Sequence, residues 1–320
     1  MNMLMTPAEN RTEVCELGSL ALIRFTGADA RAFLHNQLTC DVEALTPQTS
    51  TYGSYCTPKG RMLATFLLWR SGDDYFMQLP LALREQIQKR LSTFILRSKV
   101  TAIDATAEWV SLGVSGRSAA ALARLVSGEA PAAIHGVTHG KDAIIVIRLP
   151  GERFEFVVPA AMAQSAKELL AHQAEVTDEQ YWHWLDIRAG IPMVTPATQE
   201  EFVPQMANLD LIGAVSFTKG CYPGQEIVAR MHYRGTLKQR MYRASAPEGE
   251  SPHPGDKLYS PQTGSQSCGM IVNAAPAPDD IFDVLAVMQI TAAEGGDVHL
   301  GALEGPQLEL QPLPYKITAD

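Results

Sequence analysis

Apolar and polar residues follow short alternating runs over the first hundred residues, and this pattern predicts an α+β region. Runs that end at Gly or Pro are typical of strands, and here they cover 20–25, 52–55, 62–70 and 75–79. Apolar residues recur at helical spacing in 28–37 and 82–96, which places Ile95 on the inner face of the second helix. Pro58-Lys59-Gly60 predicts a hairpin turn between two of the strands.

From Trp109 the pattern changes to strand, helix, strand, strand, helix. These elements are predicted over 110–114, 119–126, 143–148, 154–158 and 160–172. Their order is typical of a ferredoxin-like half. A further helix is predicted over 178–188, where Gly190 and Pro192 end it.

The last third of the chain has frequent Gly and Pro and short apolar runs, which predict a small β-barrel or sandwich. The strands are expected over 237–244, 257–259, 268–273, 283–290 and 307–311, with a loop at 274–280. The whole chain is therefore expected to be α+β. Its predicted domains are an N-terminal α+β domain (1–108, completed by part of 175–235), a ferredoxin-like domain (109–174), a helical segment (175–235) and a C-terminal β-barrel (236–320).

Length and composition are those of an ordinary globular protein. The chain has 320 residues, of which 46% are hydrophobic, enough for two or three domains with buried cores. No apolar run approaches the roughly 20 residues that a membrane-spanning helix needs. The N-terminal residues lack the basic start and apolar stretch of a secretory signal, so we expect a cytoplasmic protein without a membrane partner.

Charge and cysteine content exclude several classes of site. The net charge of -9 disfavours a broad nucleic-acid-binding surface, which needs clustered Lys and Arg. The number of cysteines is odd and no pair has the spacing Cys-x-x-Cys, so neither a disulfide framework nor a self-contained zinc or iron–sulfur site is expected. The five cysteines are Cys15, Cys40, Cys56, Cys221 and Cys268.

Cys221 is the candidate for chemistry. Pro223 and Gly224 predict a tight turn, and residues 225–233 have helical spacing, so Cys221 precedes a helix N-terminus. The positive end of the helix dipole and the nearby Lys219 favour a thiolate there. From the residues alone, a reactive thiol and a small buried residue in a turn are about equally good interpretations.

The region around Cys221 is basic in an acidic chain. Residues 219–243 include six cations and a single acid, Glu226. This balance suits a small anion such as a carboxylate or phosphate tail. A solvated helix face next to unrelated strand charges is the alternative. The cations are Lys219, Arg230, Arg234, Lys238, Arg240 and Arg243.

Residues 217–226, Phe-Thr-Lys-Gly-Cys-Tyr-Pro-Gly-Gln-Glu, resemble the signature of the YgfZ family. Its members are folate-binding relatives of the glycine-cleavage aminomethyltransferase that act in iron–sulfur cluster maintenance and are also called tRNA-modifying proteins. Weaker blocks extend the likeness over nearly the whole chain, at 26–30, 36–39, 58–61, 190–192, 202–205, 208–209, 228–230 and 234–235.

This resemblance implies an aminomethyltransferase-like fold, with three domains around a central hole that holds tetrahydrofolate or a one-carbon derivative. Two tryptophans line the folate site of well-studied members; Trp182 matches one, while Leu20 stands at the other position. Glu155 loosely matches a strand carboxylate that pairs with the pterin. Trp182 as a core aromatic and Glu155 as an exposed strand residue are the alternatives. Tyr222 and Arg230 are further expected folate contacts.

The resemblance also orders the functional hypotheses. The first is a folate-dependent accessory factor, not a conventional enzyme, that supports iron–sulfur client enzymes or assembly proteins through Cys221, with Lys219 as a second catalytic candidate. A true aminomethyltransferase ranks lower, because residues 75–84 lack the Asn-Ala and Asp of that enzyme. Direct tRNA binding is disfavoured by the net charge. Cys40 replaces the usual Asn of the family, and either a second functional thiol or a neutral replacement fits.

Overall fold

The computed structural model describes residues 11–279 and 281–317. The strands are β1 (Thr12–Glu16), β2 (Leu20–Thr26), β3 (Ser50–Cys56), β4 (Met62–Ser71), β5 (Asp74–Pro80), β6 (Thr101–Asp104), β7 (Trp109–Gly116), β8 (Val137–His139), β9 (Ile145–Leu149), β10 (Arg153–Pro159), β11 (Glu175–Val176), β12 (Gln239–Ser245), β13 (Lys257–Tyr259), β14 (Ser267–Pro276), β15 (Phe282–Gln289), β16 (His299–Leu300) and β17 (Glu309–Gln311). The α-helices are α1 (Ala30–His35), α2 (Leu81–Ser92), α3 (Ala119–Ser127), α4 (Ala163–Ala171), α5 (Glu179–Arg188), α6 (Gln225–Arg234) and α7 (Ile290–Gly295). The N-terminal residues 1–10, on which the expectation of no secretory signal rests, lie outside the described residues.

The chain divides into two compact units, and neither is one continuous stretch of sequence. The first unit comprises Met1–Ala30, Ala44–Thr51 and Leu67–Trp182. The second unit comprises Arg31–Glu43, Tyr52–Phe66 and His183–Asp320. The domain boundaries expected from the sequence stay a prediction.

The first unit contains a six-stranded sheet with the order β11-β1-β7-β10-β9-β8. Strands β7, β9, β10 and β11, together with α3 and α4, follow the ferredoxin-like order strand–helix–strand–strand–helix–strand. Strand β1 lies between β7 and β11, antiparallel to the first and parallel to the second. The ferredoxin-like arrangement is confirmed, although the sequence pattern did not predict its last strand, β11, or the additional strands β1 and β8.

The two faces of this sheet carry different side chains. Phe154 and Phe156 of β10 pack in a hydrophobic core with Leu122 of α3. Because successive residues of a strand point to opposite faces, Arg153 and Glu155 lie on the other face. Both are nevertheless buried, with exposures of 0% and 1%. That second face therefore holds charged groups away from water.

The second unit contains a six-stranded antiparallel sheet with the order β16-β13-β14-β15-β12-β17. Alternate residues of β15, including Val284 and Met288, pack in a core with Leu258 and with Ala292 of α7. An isolated bridge joins residue 299 of β16 to residue 307, which precedes β17. Strand β14 runs to Pro276, so the loop predicted from residue 274 begins later.

In the first unit, β2 pairs antiparallel with both β5 and β6, and residues 67–71 of β4 pair antiparallel with β5. Helix α2 follows β5 directly and buries Leu83, Ile87 and Leu91. It ends at Ser92, so the helix predicted to residue 96 is too long. The hydroxyls of Ser92 and Thr93 donate to carbonyls of the preceding turn at 2.7 Å, and such bonds compete with continued helix.

The helices of the described residues are short, and α2, with 12 residues, is the longest of them. A helix that spans a bilayer needs about 20 residues. Across residues 11–279 and 281–317, none of the helices has the length and apolar character to cross a membrane.

Candidate functional site

A tight turn at Pro223-Gly224 connects the Cys221 segment, which we define as residues 217–224, to α6. Gly224 holds the N-terminal capping position of α6 with a φ of +83°, a left-handed conformation that glycine adopts without strain. A Cβ on Gly224 would lie 2.5 Å from the carbonyl oxygen of Thr57 and 2.7 Å from the backbone of Gly60. Only glycine therefore permits both the turn and its close contact with the β3–β4 hairpin.

Lys219 binds the Cys221 segment to the end of α1 and to the residues that follow it. Its ammonium donates hydrogen bonds to the carbonyl oxygens of His35, of Leu38 at 2.7 Å and of Cys40 at 2.9 Å. Burial lowers the pKa of Lys219 to about 8, against the opposing effect of Asp41. An ammonium has three protons to donate, and here the three carbonyls accept them. This geometry favours a positioning role for Lys219 over a catalytic one.

Tyr222 anchors the other side of Cys221. Its side chain is only 6% exposed, and burial raises the pKa of its phenol. The ammonium of Lys219 lies 5.2 Å from the centroid of the Tyr222 ring, within the range of a cation–π contact. Cys221 itself is exposed. Two anchored neighbours thus present its thiol at the surface of the second unit.

The other four cysteines are buried. Burial raises the pKa of Cys40 and Cys56 to about 12 and that of Cys268 to about 11, so these thiols stay protonated at neutral pH. A Cβ on Gly53 would lie 2.8 Å from the sulfur of Cys40, which shows how tightly that thiol is enclosed. The structure favours the interpretation of Cys40 as a neutral replacement.

Helix α6 is largely solvent-exposed, and Val228 is its buried residue. The ring of Phe217 stacks on His232, with centroids 3.7 Å apart and planes 9° apart. Tyr233 packs edge-on against both rings and is 66% exposed. Arg230, an expected folate contact, is exposed on the same helix.

The six cations that the sequence places in the basic region around Cys221 do not form one exposed surface. Arg240 is 2% exposed and pairs with Asp210 at 2.8 Å. Arg243 is partly buried, and this burial lowers the pKa of its guanidinium. The ammonium of Lys219 is bound to carbonyls. Three of the six cations are therefore exposed, namely Arg230, Arg234 and Lys238.

A second candidate site lies in the first unit, on the polar face of its sheet. The Glu155 carboxylate is 1% exposed and accepts a hydrogen bond from the side-chain amide of Gln78. The same amide donates to the hydroxyl of Ser111 at 2.9 Å. Because a buried carboxylate needs donors, Gln78 compensates in part for its burial. The alternative of Glu155 as an exposed strand residue is wrong.

Trp182 lies on this same face. Gly113 is the cross-strand partner of Glu155, and a Cβ on Gly113 would lie 2.5 Å from the indole of Trp182. The missing side chain at Gly113 therefore makes room for the indole. The guanidinium of Arg153 lies 4.7 Å from the ring centroid, and Trp182 is 3% exposed. The structure thus brings Trp182, Glu155 and Arg153 together.

The remaining candidates have separate positions. Leu20 is the partly buried first residue of β2, opposite Pro80 of β5. Trp184, two residues after Trp182, belongs to the second unit, where its indole donates to Asp283 at 3.0 Å. Leu20, Arg230 and Tyr222 stay predictions as folate contacts.

Sequence reasoning missed three contributors to the first-unit site, namely Gln78, Ser111 and Arg153. A signal for two of them was present. Gln78 interrupts an apolar strand, and Arg153 and Glu155 alternate with Phe in another. Polar residues at core positions of a strand indicate partners on a shared face. Within the described part of the chain, no group of three or more His, Cys, Asp or Glu side chains could hold a metal ion.

The fold and sequence have known relatives. The GCVT N-terminal domain family matches residues 7–141. A glycine cleavage system aminomethyltransferase T from Bartonella henselae has a similar structure, with a TM-score of 0.77 and 16% identity over 96% of this chain and 86% of that one. At this identity the likeness shows the fold, which is that of the aminomethyltransferase and confirms the expected fold class.

Sequence comparison gives longer and more similar matches. The tRNA-modifying protein YgfZ of Yersinia enterocolitica serotype O:8 / biotype 1B is 33% identical over 321 aligned residues, which cover 99% of this chain and 96% of that protein. The protein of the same name from Sodalis glossinidius is 32% identical, over 93% of this chain and 91% of its own length. The likeness thus covers both units and includes the Cys221 segment.

Proposed function

Because the chain belongs to the YgfZ family of tRNA-modifying proteins, we propose that it is a tetrahydrofolate-binding factor that supports iron–sulfur enzymes through the thiol of Cys221. The observation that carries this proposal is the presentation of Cys221. It is exposed between Lys219 and Tyr222, whose side chains are both anchored. A cysteine held in this way on a fixed backbone suits thiol chemistry with a partner protein or a sulfur-containing substrate.

The polar face of the first unit supports the folate part of the proposal. A pterin ring offers adjacent N–H donors that a carboxylate can accept as a charge-assisted pair. Glu155 supplies such a carboxylate, and the Trp182 indole beside it supplies an aromatic surface. Leu20, Tyr222 and Arg230 are proposed as additional contacts. The ligand is tetrahydrofolate or one of its one-carbon derivatives.

Gln78 supports an accessory role over aminomethyl transfer. It is the polar side chain that β5 directs to Glu155, and it is neutral. Residues 75–84 contain no Asp, so this stretch offers no carboxylate to stabilise the positive charge that develops during transfer. The proposed activity is therefore maintenance of iron–sulfur clusters in client enzymes.

We propose that the effect on tRNA is indirect. The exposed cations of the Cys221 region are reduced to three on a chain of net charge -9, fewer than the 6–10 phosphate contacts typical of strong nucleic-acid binders. Iron–sulfur enzymes that thiolate tRNA would carry the effect, in the cytoplasm. Salt-sensitive binding of bulk tRNA to the purified protein would favour direct action instead.

Anaerobic calorimetric titration with tetrahydrofolate tests the folate part. We expect saturable binding that Glu155→Gln weakens about tenfold or more, the loss of a charge-assisted pair. Glu152→Gln is the matched control, because Glu152 lies exposed in the adjoining β9–β10 turn and should bind like wild type. Absence of binding at about 1 mM ligand would refute the folate assignment and leave a cofactor-free partner-binding protein.

Complementation tests the thiol part. In a strain that lacks its own family member, Cys221→Ala should fail to restore iron–sulfur enzyme activity and thiolated nucleosides in tRNA. Cys268→Ala, which removes a buried thiol of the second unit, is the matched control and should restore both. Full restoration by Cys221→Ala would refute the role of this thiol.

A further inference from the structure

The imidazole of His35 lies at the end of α1, beside the Cys221 segment. His35 is 8% exposed, and its backbone carbonyl accepts a hydrogen bond from Lys219. The ring nitrogen Nδ1 lies 3.3 Å from Oδ1 of Asp41, an ion-pair distance without the alignment of a hydrogen bond. A carboxylate at this position orients the ring.

The other ring nitrogen faces the Cys221 segment. A Cβ on Gly220 would lie 3.7 Å from Nε2 of His35, so the ring edge borders the open space beside the residue directly before Cys221. In the described residues, Nε2 has no hydrogen-bond partner. The ring is thus a buried polar group whose available nitrogen is directed at the backbone that carries the exposed thiol.

We propose that His35, oriented by Asp41, is the base that accepts the proton of the Cys221 thiol. The proposal rests on the proposed role of Cys221 and adds a residue to it. In the step, the S–H bond of Cys221 breaks and an N–H bond forms at Nε2, and no electron is transferred. The resulting thiolate pairs with the imidazolium, and its target is a soft electrophile such as a polarised sulfur or carbon centre.

No hydrogen bond joins Cys221 and His35 in the structure. The proposed step therefore needs the thiol to turn towards Nε2, or a water molecule to bridge the two groups. Bonds between a nucleophile and its base are often long before a ligand binds. The hydrogen bond from Lys219 to the His35 carbonyl holds the backbone of His35 beside the Cys221 segment.

Groups of both signs lie around His35. Asp41 and Glu43 place negative charge in the turn that follows it. The ammonium of Lys219, bound to the carbonyl of His35, places a positive charge nearby. Cys40, the remaining titratable group of this turn, stays a neutral thiol because burial raises its pKa to about 12.

The rate of Cys221 alkylation by iodoacetamide, followed against pH on the full chain by peptide mass spectrometry, tests the proposal. Lowering a thiol pKa by one unit raises the thiolate fraction about tenfold below that pKa. We expect His35→Gln to react about tenfold more slowly than wild type at pH 6.5 and equally fast above pH 10. His253→Gln is the control, because His253 is exposed in the same unit outside the Cys221 segment and should leave the profile unchanged.

Asp41→Asn keeps the test decisive if His35→Gln fails to fold. The Asp41 side chain is 40% exposed, so this change should be tolerated, and we expect an intermediate shift of the pH profile in the same direction. Profiles of folded His35→Gln or Asp41→Asn that coincide with wild type would overturn the proposal. Complementation separates the two proposals. If the pH profile shifts but Cys221→Ala still complements, only the proposed function of Cys221 is refuted. If the profile does not shift but Cys221→Ala fails to complement, only the role of His35 as a base is refuted.

Discussion

The two candidate sites present their chemistry in opposite ways. Cys221 is exposed on a short segment whose neighbours are anchored, whereas Glu155 is 1% exposed on the face of a sheet. A surface thiol can change without disturbing packing, but a buried carboxylate, its amide partner and the adjoining indole stabilise one another. Substitutions in the first-unit site should therefore cost stability as well as function, and substitution of Cys221 should cost function alone.

The largest expected effect is that of Trp182→Ala in the first-unit site. Truncation of a buried tryptophan costs about 3–5 kcal/mol, and here it also leaves the space over Gly113 empty. Urea denaturation measures the free energy of unfolding. Trp182→Phe is the control and should lose less, because an aromatic ring still covers Gly113. A loss below about 1 kcal/mol would show that the indole is not packed on that strand.

The second prediction compares two glycine substitutions, one of which tests backbone strain alone and the other strain together with crowding. Gly224 and Gly213 both have positive φ, of +83° and +75°, but only Gly224 has backbone atoms where a Cβ would lie. Gly213→Ala should cost about 1 kcal/mol from strain. Gly224→Ala should cost about 2–3 kcal/mol, because the turn must move away from the hairpin. Equal losses in urea denaturation would contradict the close contact with Thr57.

The same contrast explains how much the sequence could predict. The Cys221 site depends on adjacent residues, so its turn, helix and glycines are visible in one stretch of sequence. The pairing of Gln78 with Glu155 joins positions 77 residues apart, and the bonds of Lys219 to the turn after α1 join positions about 180 apart. Such contacts exist only once the sheet order is known, and a single sequence does not supply it.

Strand prediction shows the same limit. Strands with clear alternation, such as β10 and β15, are predicted to within a few residues. Strand β1 has the sequence Thr-Glu-Val-Cys-Glu, which has little apolar character, and it becomes a strand because β7 and β11 pair with its two edges. Tertiary context, not local propensity, decides this element.

A smaller effect concerns pH and the anchor of the Cys221 segment. Burial lowers the pKa of Lys219 to about 8 from the 10.5 of an ordinary lysine. Between these values the unfolded chain binds more protons than the folded one, so the contribution of Lys219 to stability rises with pH from about 8 to 10.5 and is constant below. The free energy of unfolding of wild type should therefore rise relative to Lys219→Met over this interval. A difference that stays flat would contradict a lowered pKa.

The smallest effect on stability is expected for Cys221→Ala. Surface substitutions away from special contacts usually change the free energy of unfolding by less than about 0.5 kcal/mol, and Cys221 is the exposed cysteine of the five. Cys268→Ser, which places a hydroxyl in the core of the second unit, should cost more because the hydroxyl is buried. Titration with a disulfide reagent gives an independent measure: native wild type should show one fast thiol, and native Cys221→Ala none. If Cys221→Ala lost as much stability as Cys268→Ser, Cys221 would pack against its neighbours. The contrast between the exposed thiol of Cys221 and the buried site of Glu155 would then be wrong.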